Sequence, residues 1–276
     1  MNARDLTGDD TLEDFECRPM RFDGVEKRVY VAGAGPAVVV MAEMPGISPH
    51  VARFARWVRD AGLSVYMPSL FGRDGALASA EEGVEVFKKT CVSAEFRALA
   101  SGGSPPVARW LRALARRAHA ERGGPGVGAV GMCFTGNFAL SMMLEAPTLA
   151  PVVCQPSLPL EQPDALGLSD DELVTLRRRL EAEDLSVLGF RFEGDRWCTA
   201  GRFAAFAQAL GPRFVARVLP DSAAHPDPPP FFKHVVASPH SVVTAHLIDE
   251  AGQPTVAARD EILSFLRARL TGAMQR

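Results

Sequence analysis

The chain has 276 residues, a length that suits one large α/β domain. It is 47% hydrophobic and 23% charged, with a formal net charge of −3, which is the balance of an ordinary globular protein. That balance supplies no basic surface for nucleic acid or for an anionic membrane. The polar, acidic start, Met1 to Arg21, lacks the basic stretch and apolar core of an export signal. No apolar run approaches the ~20 residues of a membrane span. Five cysteines, at 17, 91, 133, 154 and 198, form no CxxC pair. Without an export signal, reduced thiols in the cytoplasm are the expectation.

Residues 1–20 are expected to form a loose N-terminal arm, and 21–276 a single domain. Lys27 to Ala32 reads as a strand, closed by the turn Gly33-Ala34-Gly35-Pro36. Ala37 to Ala42 is continuously apolar with valine at its centre, the pattern of a strand covered on both faces. Pro49 to Ala61 carries Val51, Phe54, Trp57 and Val58 at helical spacing. Leu63 to Met67 is the next strand. Glu81 to Arg97 is helical in part, and Val107 to Arg122 is an amphipathic helix. Val127 to Gly131, Leu149 to Cys154, Leu185 to Phe192 and Phe214 to Leu219 are further strands. Between them lie helices over Asn137 to Leu144, Ser169 to about Glu183 and Thr199 to Leu210. Ser169 and Glu172 form a capping box. Asp221 to Pro239 is a proline-rich loop, and Thr255 to Leu270 a closing helix. Strands alternating with helices imply a mainly parallel sheet with helices on both faces. The stretch 158–184 exceeds a minimal crossover, and its helix is expected to act as a lid over the pocket.

The sharpest local signal is Gly131-Met132-Cys133-Phe134-Thr135-Gly136. Glycine stands two residues before the cysteine, threonine two after and glycine three after, between an apolar strand and a helix. This approximates the strained strand-to-helix turn that presents a nucleophile in G-x-S-x-G hydrolases. A cysteine there also gains from the helix dipole, which favours its thiolate. A buried structural cysteine beside a tight turn is the plainer alternative.

A nucleophile of this kind needs an acid and then a histidine, in that chain order. Glu193-Gly194-Asp195 follows a strand end; Gly194 gives Asp195 the sharper turn, and Glu193 competes. His225, His234, His240 and His246 qualify by order. His240 sits at the end of the proline-rich loop, and His246 is the runner-up. No histidine or cysteine spacing suits a metal, so neither metal nor organic cofactor is expected.

These residues resemble the dienelactone hydrolase family from about Tyr30 to Leu270. The resemblance rests on Glu43 within Met41-Ala42-Glu43-Met44-Pro45-Gly46, on the elbow at Cys133, on Gly194-Asp195 and on His240-Ser241. It implies the α/β-hydrolase fold and a catalytic triad of Cys133, His240 and Asp195. It further implies that Glu43 contacts the resting thiol and that the backbone N–H groups of Met44 and Phe134 form an oxyanion hole. The implied partner is a small-molecule ester or lactone, cleaved through a thiolester. Thr135 departs from the family, replacing a glycine beside the elbow. The arginines that grip a substrate carboxylate in the type enzyme have no motif here; Arg73, Arg97 and Arg202 lie in the right regions. A thioesterase or acyltransferase would share the same acyl-enzyme. A binding module with a vestigial triad is the non-enzymatic alternative, against which the intact set argues. Substrate and oligomeric state have no signal in the chain.

Overall fold

The computed structural model describes residues 5–96, 104–162 and 164–272. Its centre is an eight-stranded sheet in the order β1-β2-β4-β3-β5-β6-β7-β8. The strands are β1 (Glu16–Phe22), β2 (Val25–Ala32), β3 (Ala37–Met41), β4 (Ser64–Pro68), β5 (Val127–Met132), β6 (Thr148–Cys154), β7 (Val187–Phe192) and β8 (Phe214–Leu219). β1 runs antiparallel to β2, and β2 antiparallel to β4. Every pairing from β4 to β8 is parallel.

The helices are α1 (Pro49–Asp60), α2 (Ala80–Val92), α3 (Pro106–Arg122), α4 (Gly136–Met142), α5 (Asp170–Ala182), α6 (Ala200–Leu210) and α7 (Pro254–Leu270). The apolar pattern of β3 explains the layering. Val39 and Met41 point to one face, into a core shared with α3, α4 and α6. Val38, Val40 and Ala42 point to the other, against α1 and α7. A strand covered on both faces has no solvent side, so its residues need not alternate in polarity. β3, β4, β5 and β7 are buried throughout.

The N-terminal segment is more ordered than the sequence suggests. Glu16 to Phe22 forms an edge strand, paired along its length with β2. Upstream, Leu12 and Phe15 are buried in the core. Arg56 of α1 binds both Asp10, at 2.6 Å, and Asp14, at 2.8 Å. The expected loose arm is therefore replaced over 5–20 by a pinned edge. Its polar composition misled because an edge strand faces water along much of its length.

The parallel strands all end on one side of the sheet. The segments that follow β3, β5, β6, β7 and β8 carry Glu43, Cys133, Ser157, Asp195 and His240 in turn. Ligands of open parallel sheets bind at this carboxyl edge.

Candidate active site

β5 ends in a turn at Cys133, which has φ +52°, the left-handed region that side chains other than glycine rarely adopt. The neighbours show why the turn needs small residues. A Cβ on Gly131 would lie 2.3 Å from the carbonyl oxygen of Thr135. A Cβ on Gly136 would lie 2.7 Å from Pro156 Cα. Thr135, the odd residue of the motif, is fully buried, and its side chain is fully used. Its hydroxyl accepts a hydrogen bond from Met132 N–H at 2.9 Å and lies 3.0 Å from the Met41 carbonyl and 3.2 Å from that of Ala42. It therefore ties the elbow to the end of β3.

Asp195 lies on the turn after β7, buried, whereas Glu193 is exposed. Gly194 is needed there: its N–H donates to Asp221 at 2.7 Å, and a Cβ would meet that carboxylate at 2.1 Å. One Asp195 oxygen accepts from Trp197 N–H at 2.9 Å and Cys198 N–H at 3.0 Å. The other accepts from His240 Nδ1 at 2.8 Å. This fixes the ring and directs Nε2 to the remaining side, where it has no hydrogen bond of good geometry. Burial disfavours a charged His240, but the Asp195 carboxylate and the nearby Cys133 sulfur outweigh it and hold its pKa well above the ordinary value.

The other histidines are placed differently. His246 is buried, and its Nδ1 accepts from Ser241 N–H at 3.2 Å. Burial, then repulsion from His240, pushes its pKa down to about 3. His225 uses Nδ1 to accept from Asp227 N–H. His234 is exposed.

Glu43 is 1% exposed and sits in a cage of neutral donors. Ser241 donates at 2.6 Å, Gln155 at 3.2 Å, and the Thr244 hydroxyl binds the second oxygen. Burial raises its pKa, and these hydrogen bonds oppose the rise. Neither Glu43 oxygen is hydrogen-bonded to the Cys133 sulfur, which differs from the contact the resemblance implied. The sulfur instead lies 3.4 Å from the Ser157 hydroxyl, whose residue also donates its N–H to the Cys133 carbonyl at 3.0 Å. Sequence reasoning missed Ser157, which follows Gln155-Pro156 and carries no motif. The N–H groups of Met44 and Phe134 donate no hydrogen bond among the described residues.

The profile of the dienelactone hydrolase family matches residues 26–165, half of the chain. The chain belongs to the dienelactone hydrolase family. Membership makes it a hydrolase, and the matched stretch includes Glu43 and the Cys133 elbow. No curated protein matches the chain. Among solved structures it is similar to a dienelactone hydrolase-like promiscuous phosphotriesterase from metagenomic libraries. That likeness has 18% identity and TM-score 0.58, covering 92% of this chain and 99% of the other. A cold-adapted esterase from an Arctic intertidal metagenomic library is 12% identical with TM-score 0.55, over 95% and 97% of the two chains. A puromycin hydrolase is 15% identical with TM-score 0.57 over 92% of this chain, which spans only 39% of that longer one. These likenesses establish the α/β-hydrolase fold.

Two further expectations meet the geometry of this hydrolase. Helix α5 packs on the flank of the sheet: Glu172 binds Arg112 of α3 at 3.0 Å, and Arg179 binds carbonyls at the end of α4. The loop before it, not the helix, borders a cavity of about 470 Å³ beside Phe134 and Phe138. The arginines are also accounted for. Arg202 is buried and donates to the carbonyls of Leu158, at 2.5 Å, and Pro159, at 2.9 Å, which holds that loop in place. Arg73 pairs with Asp9 at the surface, at 2.5 Å. Arg97 lies outside the described residues. Among the described residues no helix is long and apolar enough to cross a membrane, and no cluster of side chains could hold a metal ion.

Proposed function

We propose that this family member hydrolyses carboxylic esters or lactones through a Cys133 thiolate, with His240 as base and Asp195 as its orienting acid. One observation carries the reading: a cysteine at φ +52° on the strand-to-helix turn, beside a buried histidine whose other nitrogen is bound to an aspartate at 2.8 Å. Cys133 passes its proton to His240 Nε2, and the sulfur attacks the carbonyl carbon. The oxyanion takes hydrogen bonds from the N–H groups of Met44 and Phe134, each worth about 3–4 kcal/mol in related chemistry. Collapse expels the alcohol, which receives the proton from His240 and leaves a thiolester. His240 then activates water to release the acid.

Ser157 is the residue this reading adds. Its hydroxyl, 3.4 Å from the sulfur, donates to the thiolate and steadies it before attack. Glu43, bound by Ser241, Thr244 and Gln155, acts as a structural tie between the loops after β3, β6 and β8. The cysteines are free among the described residues, which fits a reducing cytoplasm.

The test is hydrolysis of a panel of chromogenic esters and unsaturated lactones by wild type and Cys133→Ala. Wild-type turnover that vanishes in the variant, with a thiolester intermediate trapped at Cys133 and seen by mass spectrometry, supports the reading. Retained turnover in Cys133→Ala sinks it.

A further inference from the structure

We propose that the cavity beside Cys133 receives an uncharged apolar group of the substrate, of aromatic size, and that Glu161 at its mouth turns carboxylated substrates away. This rests on the ester-hydrolase reading above and names the substrate class for it. At about 470 Å³ the cavity lies within the range of small-molecule sites, ~300–1,000 Å³. Two of its lining residues are chain neighbours of the sulfur's surroundings: Phe134 follows Cys133, and Leu158 follows Ser157.

Its wall is aromatic. Phe134 packs against Phe96 at 6.5 Å between ring centroids, and Phe96 against Phe138 at 6.2 Å. Leu158, Leu160 and Leu168 complete the apolar lining. The lining is also pre-formed. Arg202 anchors the loop through Leu158 and Pro159, and the Asn137 side-chain amide donates to the Leu166 carbonyl at 2.7 Å. A site whose wall is already fixed loses little freedom when an apolar group enters.

The charges decide the rest. Among the described lining residues the ionisable groups are Cys91 and Glu161. Burial, then the Glu161 charge, pushes the Cys91 thiol up, so it stays neutral at pH 7. Glu161 is exposed and anionic. The two described arginines suited to gripping a carboxylate are engaged elsewhere: Arg202 gives both terminal nitrogens to backbone carbonyls, leaving its buried Nε unpartnered, and Arg73 pairs with Asp9. A carboxylate entering the cavity would lose water and pass an anion at the mouth.

The experiment measures kcat/KM for 4-nitrophenyl acetate and for two matched pairs of esters. One pair differs by a carboxylate on an aryl acyl group, as in 3-phenylpropanoate against its 4-carboxyphenyl analogue. The other differs by a carboxylate on the nitrophenyl leaving group. The neutral member should be favoured at least roughly tenfold in one pair, which also reports the side that occupies the cavity. Glu161→Lys should narrow that ratio about two- to fivefold, as expected for an exposed charge. Leu168→Trp should raise KM for the favoured aryl ester more than for the acetate. Cleavage of the acetate with no neutral preference in either pair overturns the cavity assignment and leaves the hydrolase reading intact. No cleavage of any ester or lactone by the wild type overturns the hydrolase reading, and the cavity assignment with it.

Discussion

Asp195 and Glu43 are carboxylates buried at the same edge of the sheet, 4% and 1% exposed, yet their surroundings oppose one another. Asp195 accepts two backbone N–H bonds and a bond from a histidine able to become a cation. Glu43 is met by two hydroxyls and an amide, all neutral, and burial dominates. The first arrangement suits the orienting role proposed for Asp195. The second joins three loops and gains little from being charged. In the proposed mechanism, similar burial therefore serves a reactive pair in one place and a structural tie in the other.

The largest effects should fall on the reactive side. Cys133→Ala should lower kcat/KM by at least ~10³-fold with the fold intact by circular dichroism. His240→Ala should cost about as much. Asp195→Asn should cost on the order of 10²-fold or more, because the ring loses its fixed tautomer. A wild-type rate in any of these variants breaks the comparison at its active half.

His246 supplies a control beside the same pair. His246→Phe should keep kcat within about threefold, since the ring touches no reacting group. Its stability profile should change instead. A histidine held below its ordinary 6.5, at about 3, stabilises the fold above pH 6.5. That contribution is lost as pH falls from 6.5 toward 3, because the unfolded chain takes the proton first. The cost is about 2 kcal/mol by pH 5. Urea unfolding at pH 7.5 and pH 5 should show a smaller acid loss in His246→Phe. An unchanged acid loss would mean the ring is not held neutral.

Ser157→Ala should lower kcat several-fold and shift the pH midpoint of iodoacetamide labelling at Cys133 upward by roughly 0.5–1 unit. The labelling shift separates help to the thiolate from simple packing. A downward shift would show that the hydroxyl holds the thiol protonated instead.

The smallest effect belongs to the tie. Glu43 has its pKa raised above 4.5, so its contribution to stability is present below that value and lost as pH rises through the folded pKa. Melting curves of Glu43→Gln and wild type should therefore diverge in the variant's favour as pH climbs above 4.5. Convergence at high pH would mean that the hydroxyl cage already compensates the charge.

Sequence and structure agree most where a local rule operates. β3 was legible because a strand covered on both faces must be apolar throughout. The elbow was legible because a turn with φ +52° crowds its neighbours, which then have to be small. Gly194-Asp195 and His240 were narrowed by chain order, with Glu193 and His246 left open; the structure adds that Asp195 and His240 are buried and hydrogen-bonded to each other, whereas Glu193 is exposed and His246 bonds Ser241 N–H. Ser157 had no such rule, since its meeting with Cys133 depends on β5 and β6 lying side by side. The cage around Glu43 joins residues about 200 positions apart, and no local pattern marks it. The edge strand β1 was hidden because its outward residues obey solvent rather than the core. The cavity's border was misassigned to α5 because a capping box reveals where a helix starts, not which side of the sheet it covers.

Thr135 has a mechanical consequence. Its single hydroxyl fastens the β5 turn, which carries Phe134 N–H, to the end of β3, from which Met44 N–H projects three residues beyond Met41. The two halves of the proposed anion-binding notch thus come from neighbouring strands, joined by the β3–β5 ladder as far as Met41 and Gly131 and beyond its end by Thr135. Loosening of the two segments beyond the end of that ladder would pull the donors apart while the paired strands stay in place. Warming should therefore disable turnover a few degrees before the molecule melts, and a glycine at this position should widen that gap.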